Sequence, residues 1–256
     1  MVEMGLTTKI YGYGWVGKAM EEVFPESYLY DPEQGFSDKR TADVAIVAVP
    51  TPNTETGALD RSIVEEVVSK AKEPLILIRS TVQPGTCDYL EKKYKKAIVH
   101  QPEYLGESVA HPLFEESSRS FMIIGGQPEN RRKIIELYQK VYNANISIRQ
   151  VTNLESEIIK LSENRAIAFK VAQCQELYDT CELAEVDYYS IRDAVYGDDP
   201  RFNLWFSFVY PERRGMDSKC IPKDVYAWGA WAESLGYNAE ITKAILDRNE
   251  RWVSSA

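Results

Sequence analysis

Short continuous apolar runs mark the first half of the chain, and helical periods mark the second. Lys9–Tyr11 reads as a strand that turns through glycines into a helix over about Gly17–Val23, where Pro25 ends it. A second strand follows at Ser27–Asp31. Asp43–Pro50, DVAIVAVP, is apolar at nearly every position, the pattern of a strand covered on both faces. Only PEQGFSDKRTA separates these two, with Pro32 and Gly35 inside it, which is close to the minimum for a parallel crossover and leaves little room for a full helix. The alternation then continues with a helix at Arg61–Ala71, a buried strand at Pro74–Ser80, a helix at Cys87–Tyr94 and a strand at Ala97–His100. Ser120–Gly126 reads as a strand closed by glycines, Pro128 opens a helix reaching about Val141, and Ile146–Arg149 adds a short strand. Residues 1–150 therefore read as one α/β domain with a parallel sheet.

From Asn153 the pattern changes. More than thirty residues without Pro or Gly predict one long helix of about 45 to 50 Å. A short helix near Tyr188–Val195, an aromatic loop from Gly197 to Gly215, and helices after Pro222 and Ala239 complete a helical domain over 151–256. A helix this long commonly crosses between domains or forms a subunit interface, so a homodimer is expected.

Charge and composition narrow the function. The 256 residues carry 39 acidic side chains against 30 Lys plus Arg, a net charge of −9, and no basic stripe that would follow a nucleic-acid backbone. Four cysteines (Cys87, Cys174, Cys181, Cys220) are irregularly spaced and only His100 and His111 could assist them, so no metal site is expected. The N-terminus lacks a signal-peptide pattern and no run of 18 apolar residues occurs, so a cytoplasmic protein without a membrane partner is expected.

The loop Gly12-Tyr13-Gly14-Trp15-Val16-Gly17 is a G-x-G-x-x-G turn between an apolar strand and a helix. Absent side chains there let backbone N–H groups and the positive helix end approach a pyrophosphate. Asp31 closes the next strand at the separation expected of a ribose-binding acid, which favours NAD over NADP. The first domain is thus expected to be Rossmann-like, with NAD as cofactor.

Five further segments in order, VAVPTP, RSTVQPGT, QPEYLGESVAHP, ESEIIKLSENRAIAFK and CIPKD, resemble the UDP-glucose/GDP-mannose dehydrogenase family. The resemblance runs from Lys9 to about Asn249 and stops where members usually continue into a second α/β domain that helps bind the nucleotide. A short form without that domain is expected. In the family, NAD oxidises a sugar alcohol twice to a carboxylate, and a cysteine captures the aldehyde and becomes a thioester. Cys220 matches that nucleophile; neighbouring cations such as Lys219 or Lys223 would favour its thiolate. The resemblance makes Asp224 the acid that assists proton transfer and Lys223 a cofactor contact. Lys160 and Asn164, at i and i+4 on one helical face, match the pair that stabilises the oxyanion and orients the sugar. Thr81 matches a water-positioning threonine, Glu103 a base or water partner, and Glu107 a substrate contact. Val49, Pro50, Thr51 and Ser80 are expected beside the dinucleotide.

Two departures bear on substrate. The family's G-x-G-G-x-C loop reads Gly215-Met216-Asp217-Ser218-Lys219-Cys220 here, which loses backbone latitude, and Gly106 stands where an arginine is common. Arg201 resembles an arginine that reaches the substrate across the dimer, with Arg213 and Arg214 as an alternative pair. The resemblance implies NAD-dependent oxidation of a sugar primary alcohol on a UDP-glucose-like nucleotide sugar, acting on that or a smaller polyol, with a separate partner able to supply the missing binding surface. A two-electron alcohol or hydroxy-acid dehydrogenase and a non-catalytic NAD-binding interaction protein are the alternatives.

Overall fold

The computed structural model describes residues 5–106, 113, 115–142 and 145–254. By packing, the chain divides into two units: Met1–Pro52 with Leu59–Lys160, and Asn53–Ala58 with Leu161–Ala256.

In the first unit the apolar runs become one eight-stranded sheet. Its strands are β1 (Thr8–Tyr11), β2 (Tyr28–Asp31), β3 (Phe36–Ser37), β4 (Val44–Val47), β5 (Leu75–Ile78), β6 (Ala97–His100), β7 (Phe121–Gly125) and β8 (Ser147–Val151), in the order β3-β2-β1-β4-β5-β6-β7-β8. The helices between them are α1 (Trp15–Val23), α2 (Ser62–Lys70), α3 (Thr86–Tyr94) and α4 (Pro128–Tyr138). The register of the centre pairs Ile10 with Ile46 and Ile46 with Leu77.

Side chains alternate across a strand, so a run that is apolar throughout must meet two cores. Ala45, Val47, Ile76 and Ile78 pack with Val64 and Val68 of α2 and with Cys87 and Leu90 of α3. Val44, Ile46, Leu75 and Leu77 pack with Met20 of α1 and with Ile134 and Tyr138 of α4. Truncating Ile46, Ile76, Leu77 or Ile78, each fully buried, to alanine would cost about 2–5 kcal/mol.

The sheet is mostly parallel, with two antiparallel joins. The short crossover after β2 holds no full helix: a 3₁₀ turn at Pro32–Gln34 leads through Gly35, at φ +86°, into β3, which pairs back antiparallel onto β2. β6 and β7 meet antiparallel at His100 and Gly125.

The long helix α5 (Asn153–Leu183, 31 residues) is rooted in this sheet. Thr152 and Glu155 form a capping box: the Glu155 amide donates to the Thr152 hydroxyl at 3.2 Å, and the Thr152 amide donates to the Glu155 carboxylate at 2.8 Å. Asn153 accepts from the His100 amide at 3.1 Å and donates to the Ile98 carbonyl at 3.2 Å. Ser156 Oγ lies 2.9 Å from His100 Nδ1. Gly125 permits this seat, since a Cβ there would stand 2.7 Å from the Ser156 Cβ.

The second unit holds the remainder of α5, α6 (Tyr188–Arg192), α7 (Ile221–Ser234) and α8 (Glu240–Ser254). Asp187 caps α6 through the Ser190 amide at 2.8 Å, and α6 runs on into a π-helical turn at Asp193–Asp198. One core cluster joins Cys174, Cys181, Tyr188, Tyr196 and Val209; another joins Ala168, Met216, Val225 and Leu246. Among the described residues no helix is long and apolar enough to cross a membrane.

Candidate active site

The glycine loop has the shape its spacing implies. Gly12 sits at φ +90°, and a Cβ on it would meet the Ala48 carbonyl oxygen at 2.6 Å. A Cβ on Gly17 would stand 2.1 Å from the Gly12 carbonyl oxygen, which is how α1 packs so closely under the turn. Around Gly14 nothing lies within 4 Å of the Cβ position, so the turn is open on that side. Trp15 is exposed at the start of α1, and Val16 is half-buried. Asp31 accepts the Tyr13 amide at 2.7 Å and the Gln34 amide at 3.3 Å, which holds its carboxylate at the end of β2 beside the loop. Tyr13 donates its hydroxyl to Glu21, and that bond raises the phenol above its ordinary range. An open glycine turn at a helix start with a fixed acid at the next strand fits a dinucleotide carrying free ribose hydroxyls.

The loops after β4 and β5 are tied to each other. Ser80 donates its hydroxyl to the Val49 carbonyl at 2.7 Å, and the buried Thr51 donates to the Thr81 carbonyl at 2.6 Å. Pro50 is exposed and Thr81 half-buried at this carboxyl edge of the sheet, where ligands bind in such folds.

Behind Thr81 lies a buried ion cluster. Arg79 is 0% exposed; its Nη2 reaches Glu103 at 3.1 Å and Glu116 at 2.9 Å, and Arg119 pairs with Glu116 at 3.0 Å. Burial opposes the Arg79 charge, but Glu116 and Glu103 outweigh it and hold the guanidinium protonated. Glu116 is likewise kept anionic: burial pushes its pKa up, and Arg79 and Arg119 push it further down. Glu103 also accepts the Leu105 amide, so its carboxylate is fixed from two sides. Lys160, 7% exposed, closes the first unit with its ammonium 5.1 Å from the centre of the Tyr104 ring. His100 is pushed down to about 3 by burial and stays a neutral imidazole.

In the second unit Cys220 is exposed and takes the N-cap position of α7, with Pro222 in the first turn. Asp224, 1% exposed, accepts the Asn164 side-chain amide at 2.5 Å and the Lys223 ammonium at 2.7 Å. Asn53 donates to the Lys223 carbonyl at 3.1 Å, which brings the Asn53–Ala58 turn onto the start of α7.

Residues 10–146 match the NAD-binding domain, and residues 154–251 the central domain, of the UDP-glucose/GDP-mannose dehydrogenase family. The chain belongs to this family. It is 28% identical over 224 residues to a UDP-glucose 6-dehydrogenase of Rickettsia typhi, covering 84% of this chain and 50% of that one. The chain thus spans about half the length of the curated relatives it matches. Among solved structures, a UDP-glucose dehydrogenase from Pyrobaculum islandicum superposes with a TM-score of 0.81 at 21% identity, over 98% of this chain and 69% of that one. A 3-hydroxyisobutyrate dehydrogenase of Mycobacterium tuberculosis superposes at 0.70 and 15% identity, over 97% of this chain and 94% of that one. Both superpositions speak to fold.

Within this family member, Thr81, Glu103 and Lys160 belong to the first unit and Asn164, Cys220, Lys223 and Asp224 to the second. Arg201 is an exposed loop residue paired with Asp199 at 2.5 Å. Glu107 lies outside the described residues. Three residues of the surroundings were not anticipated. Arg79, Glu157 and Asn249 are all buried polar side chains whose partners lie far along the chain. For Glu157 a signal existed: it precedes Lys160 by three, on the same helical face.

Proposed function

We propose that this chain carries the reaction centre of an NAD-dependent nucleotide-sugar dehydrogenase. It oxidises a primary alcohol on a UDP-glucose-like substrate to a carboxylate through a thioester on Cys220. The observation that carries the reading is that Asn164 of α5 and Lys223 both donate to Asp224, in the first turn of the helix that Cys220 begins. A lone cysteine would need no buried carboxylate with two committed donors beside it.

NAD held in the first unit would supply the hydride acceptor for each of two oxidations. Asp31 would accept hydrogen bonds from its ribose hydroxyls, and the Gly12–Gly17 turn would offer amides to its pyrophosphate. Lys160 and Asn164 place donors where alkoxide charge develops. Cys220 Sγ forms a C–S bond to the aldehyde carbon, and loss of the second hydride leaves that carbon as a thioester. Thr81 and Glu103 orient a water; its oxygen bonds to the acyl carbon, the C–S bond breaks, and the thiolate leaves. Asp224 takes part in the proton transfers. The balance is RCH2OH + 2 NAD⁺ + H2O → RCOO⁻ + 2 NADH + 3 H⁺. The same reading includes a homodimer, for which the exposed Phe202, Trp205 and Tyr210 of the second unit offer apolar surface.

A nucleotide-sugar panel with NAD, read for NADH per acid formed and for acyl mass on Cys220, tests the proposal. Two NADH per product and a trapped acyl adduct are expected. A second reading is a single oxidation of an alcohol or hydroxy acid, favoured by Asp217 and Ser218, which stand exposed where the family has glycines. One NADH per product and indifference to Cys220 alkylation would establish it instead.

A further inference from the structure

We infer that Glu157 is a positioning residue of the reaction: a buried carboxylate that ties the root of α5 to the start of α3 and so sets Lys160 against the segment bearing Thr81. The inference rests on the reading of Thr81 and Lys160 given above.

α3 opens after Gly85, at φ +91°, and has no side-chain cap of its own. Its first amides still need acceptors. Glu157, 1% exposed, supplies both oxygens: Oε2 accepts the Gly85 amide at 2.5 Å and Oε1 the Cys87 amide at 2.7 Å. Two first-turn amides held by the two oxygens of one buried side chain make a firm attachment. No cation pairs with it among the described residues.

A local Ser or Asp would cap a nine-residue helix without burying an acid from 70 residues away. What the distant carboxylate adds is register between two elements. Thr81 lies four residues before Gly85, and its carbonyl is already held by Thr51. Glu157 fixes the other end of that segment. On α5, Lys160 stands one turn further on, so the same carboxylate orients the helix face from which the ammonium reaches over Tyr104.

The other ties at the helix root are separate. Asn153 and Ser156 bond to β6. Loss of Glu157 would therefore leave α5 seated on the sheet and release the start of α3, which separates positioning from folding.

The test is Glu157→Gln in the full chain. Glutamine offers one acceptor and one NH2, so one of the two amides loses its partner. Expected are about tenfold faster hydrogen exchange at Gly85 and Cys87, and kcat lower by about tenfold with NAD affinity unchanged. Faster exchange with unchanged kcat would reduce Glu157 to a structural cap and overturn the inference. If the Gln variant does not fold, Glu157→Asp, which keeps the charge on a shorter stem, is read in the same way; failure of both to fold also overturns it. Lys160 acetylation by acetic anhydride gives a readout without turnover. A wild-type chain inert towards every nucleotide sugar refutes the dehydrogenase reading alone, whereas equal Lys160 acetylation rates in wild type and variant refute the positioning role.

Discussion

Asn164 donates its side-chain amide to the Asp224 carboxylate at 2.5 Å across 60 residues of sequence. The other Asp224 oxygen receives Lys223. With both oxygens engaged and 1% exposure, the carboxylate is held in one orientation beside the start of α7. Asp224→Asn preserves the shape and removes the anion. Turnover should fall by about 10² or more while the fold persists. Asp224→Ala also strands a buried amide and should lower the melting temperature as well. Steady-state kinetics with thermal melts separates the two, and full turnover by the Asn variant would exclude a proton-transfer role.

Two glycines in one loop should fail in different ways. At Gly12 the left-handed φ and the Ala48 carbonyl both exclude a side chain, so Gly12→Ala should destabilise the fold and lose NAD together. At Gly14 an added methyl meets no protein atom within 4 Å and φ is −76°, so Gly14→Ala should melt like wild type. Its methyl projects into the space a dinucleotide would fill. Calorimetric titration with NAD should show at least about tenfold weaker binding for the stable Gly14 variant. Unchanged affinity there would move the pyrophosphate away from this turn.

Glu157 also predicts a pH dependence. Burial pushes its pKa up to about 7, against the weaker opposing pull of the Cys87 and Gly85 hydrogen bonds. A folded pKa above the unfolded one means that the stabilisation is fully present below about pH 4.5 and is lost as pH rises through about 7. Glutamine cannot titrate. Between pH 5.5 and 8 the wild-type melting temperature should therefore fall relative to that of Glu157→Gln, by a few degrees. Parallel melting curves across that window would mean that Glu157 does not ionise there.

Most of the sheet could be read from local pattern, because β4 and β5 are apolar on both faces and lie between two helical layers. The short crossover after β2 was legible in its length, although its antiparallel return was not. Strand direction at the meeting of β6 and β7 was also hidden, since hydrophobic pattern carries no direction. For the site, the G-x-G-x-x-G turn was legible in its local spacing, and CIPKD through its resemblance to the family. Arg79 and Glu157 belong to residue types that are most often surface charges. What makes them otherwise is long-range pairing: Arg79 with Glu116 is separated by 37 positions and Glu157 with Cys87 by 70.

The approach to Cys220 offers a final prediction. Asn249 of α8 accepts the Met216 amide at 2.6 Å and donates to the Met216 carbonyl at 3.4 Å, while Met216 itself is buried against Ala168 and Val225. Gly215, at φ +71°, passes so close that a Cβ would stand 2.6 Å from Asn249 Oδ1. A glycine at position 215 is thus required by its seat on α8. Asn249→Ala leaves the Met216 amide without its acceptor, a loss of about 1–3 kcal/mol. Asn249→Asp keeps that acceptor and should cost less. Gly215→Ala combines left-handed strain with a clash and should cost most. The order should appear in melting temperatures and again in Cys220 alkylation, which rises as the loop loosens. Iodoacetamide labelling resolved by peptide mass is suited to this, since Cys87, Cys174 and Cys181 are buried and Cys220 is exposed. If Asn249→Ala melts like wild type with unchanged labelling, the loop is held by something other than this clamp.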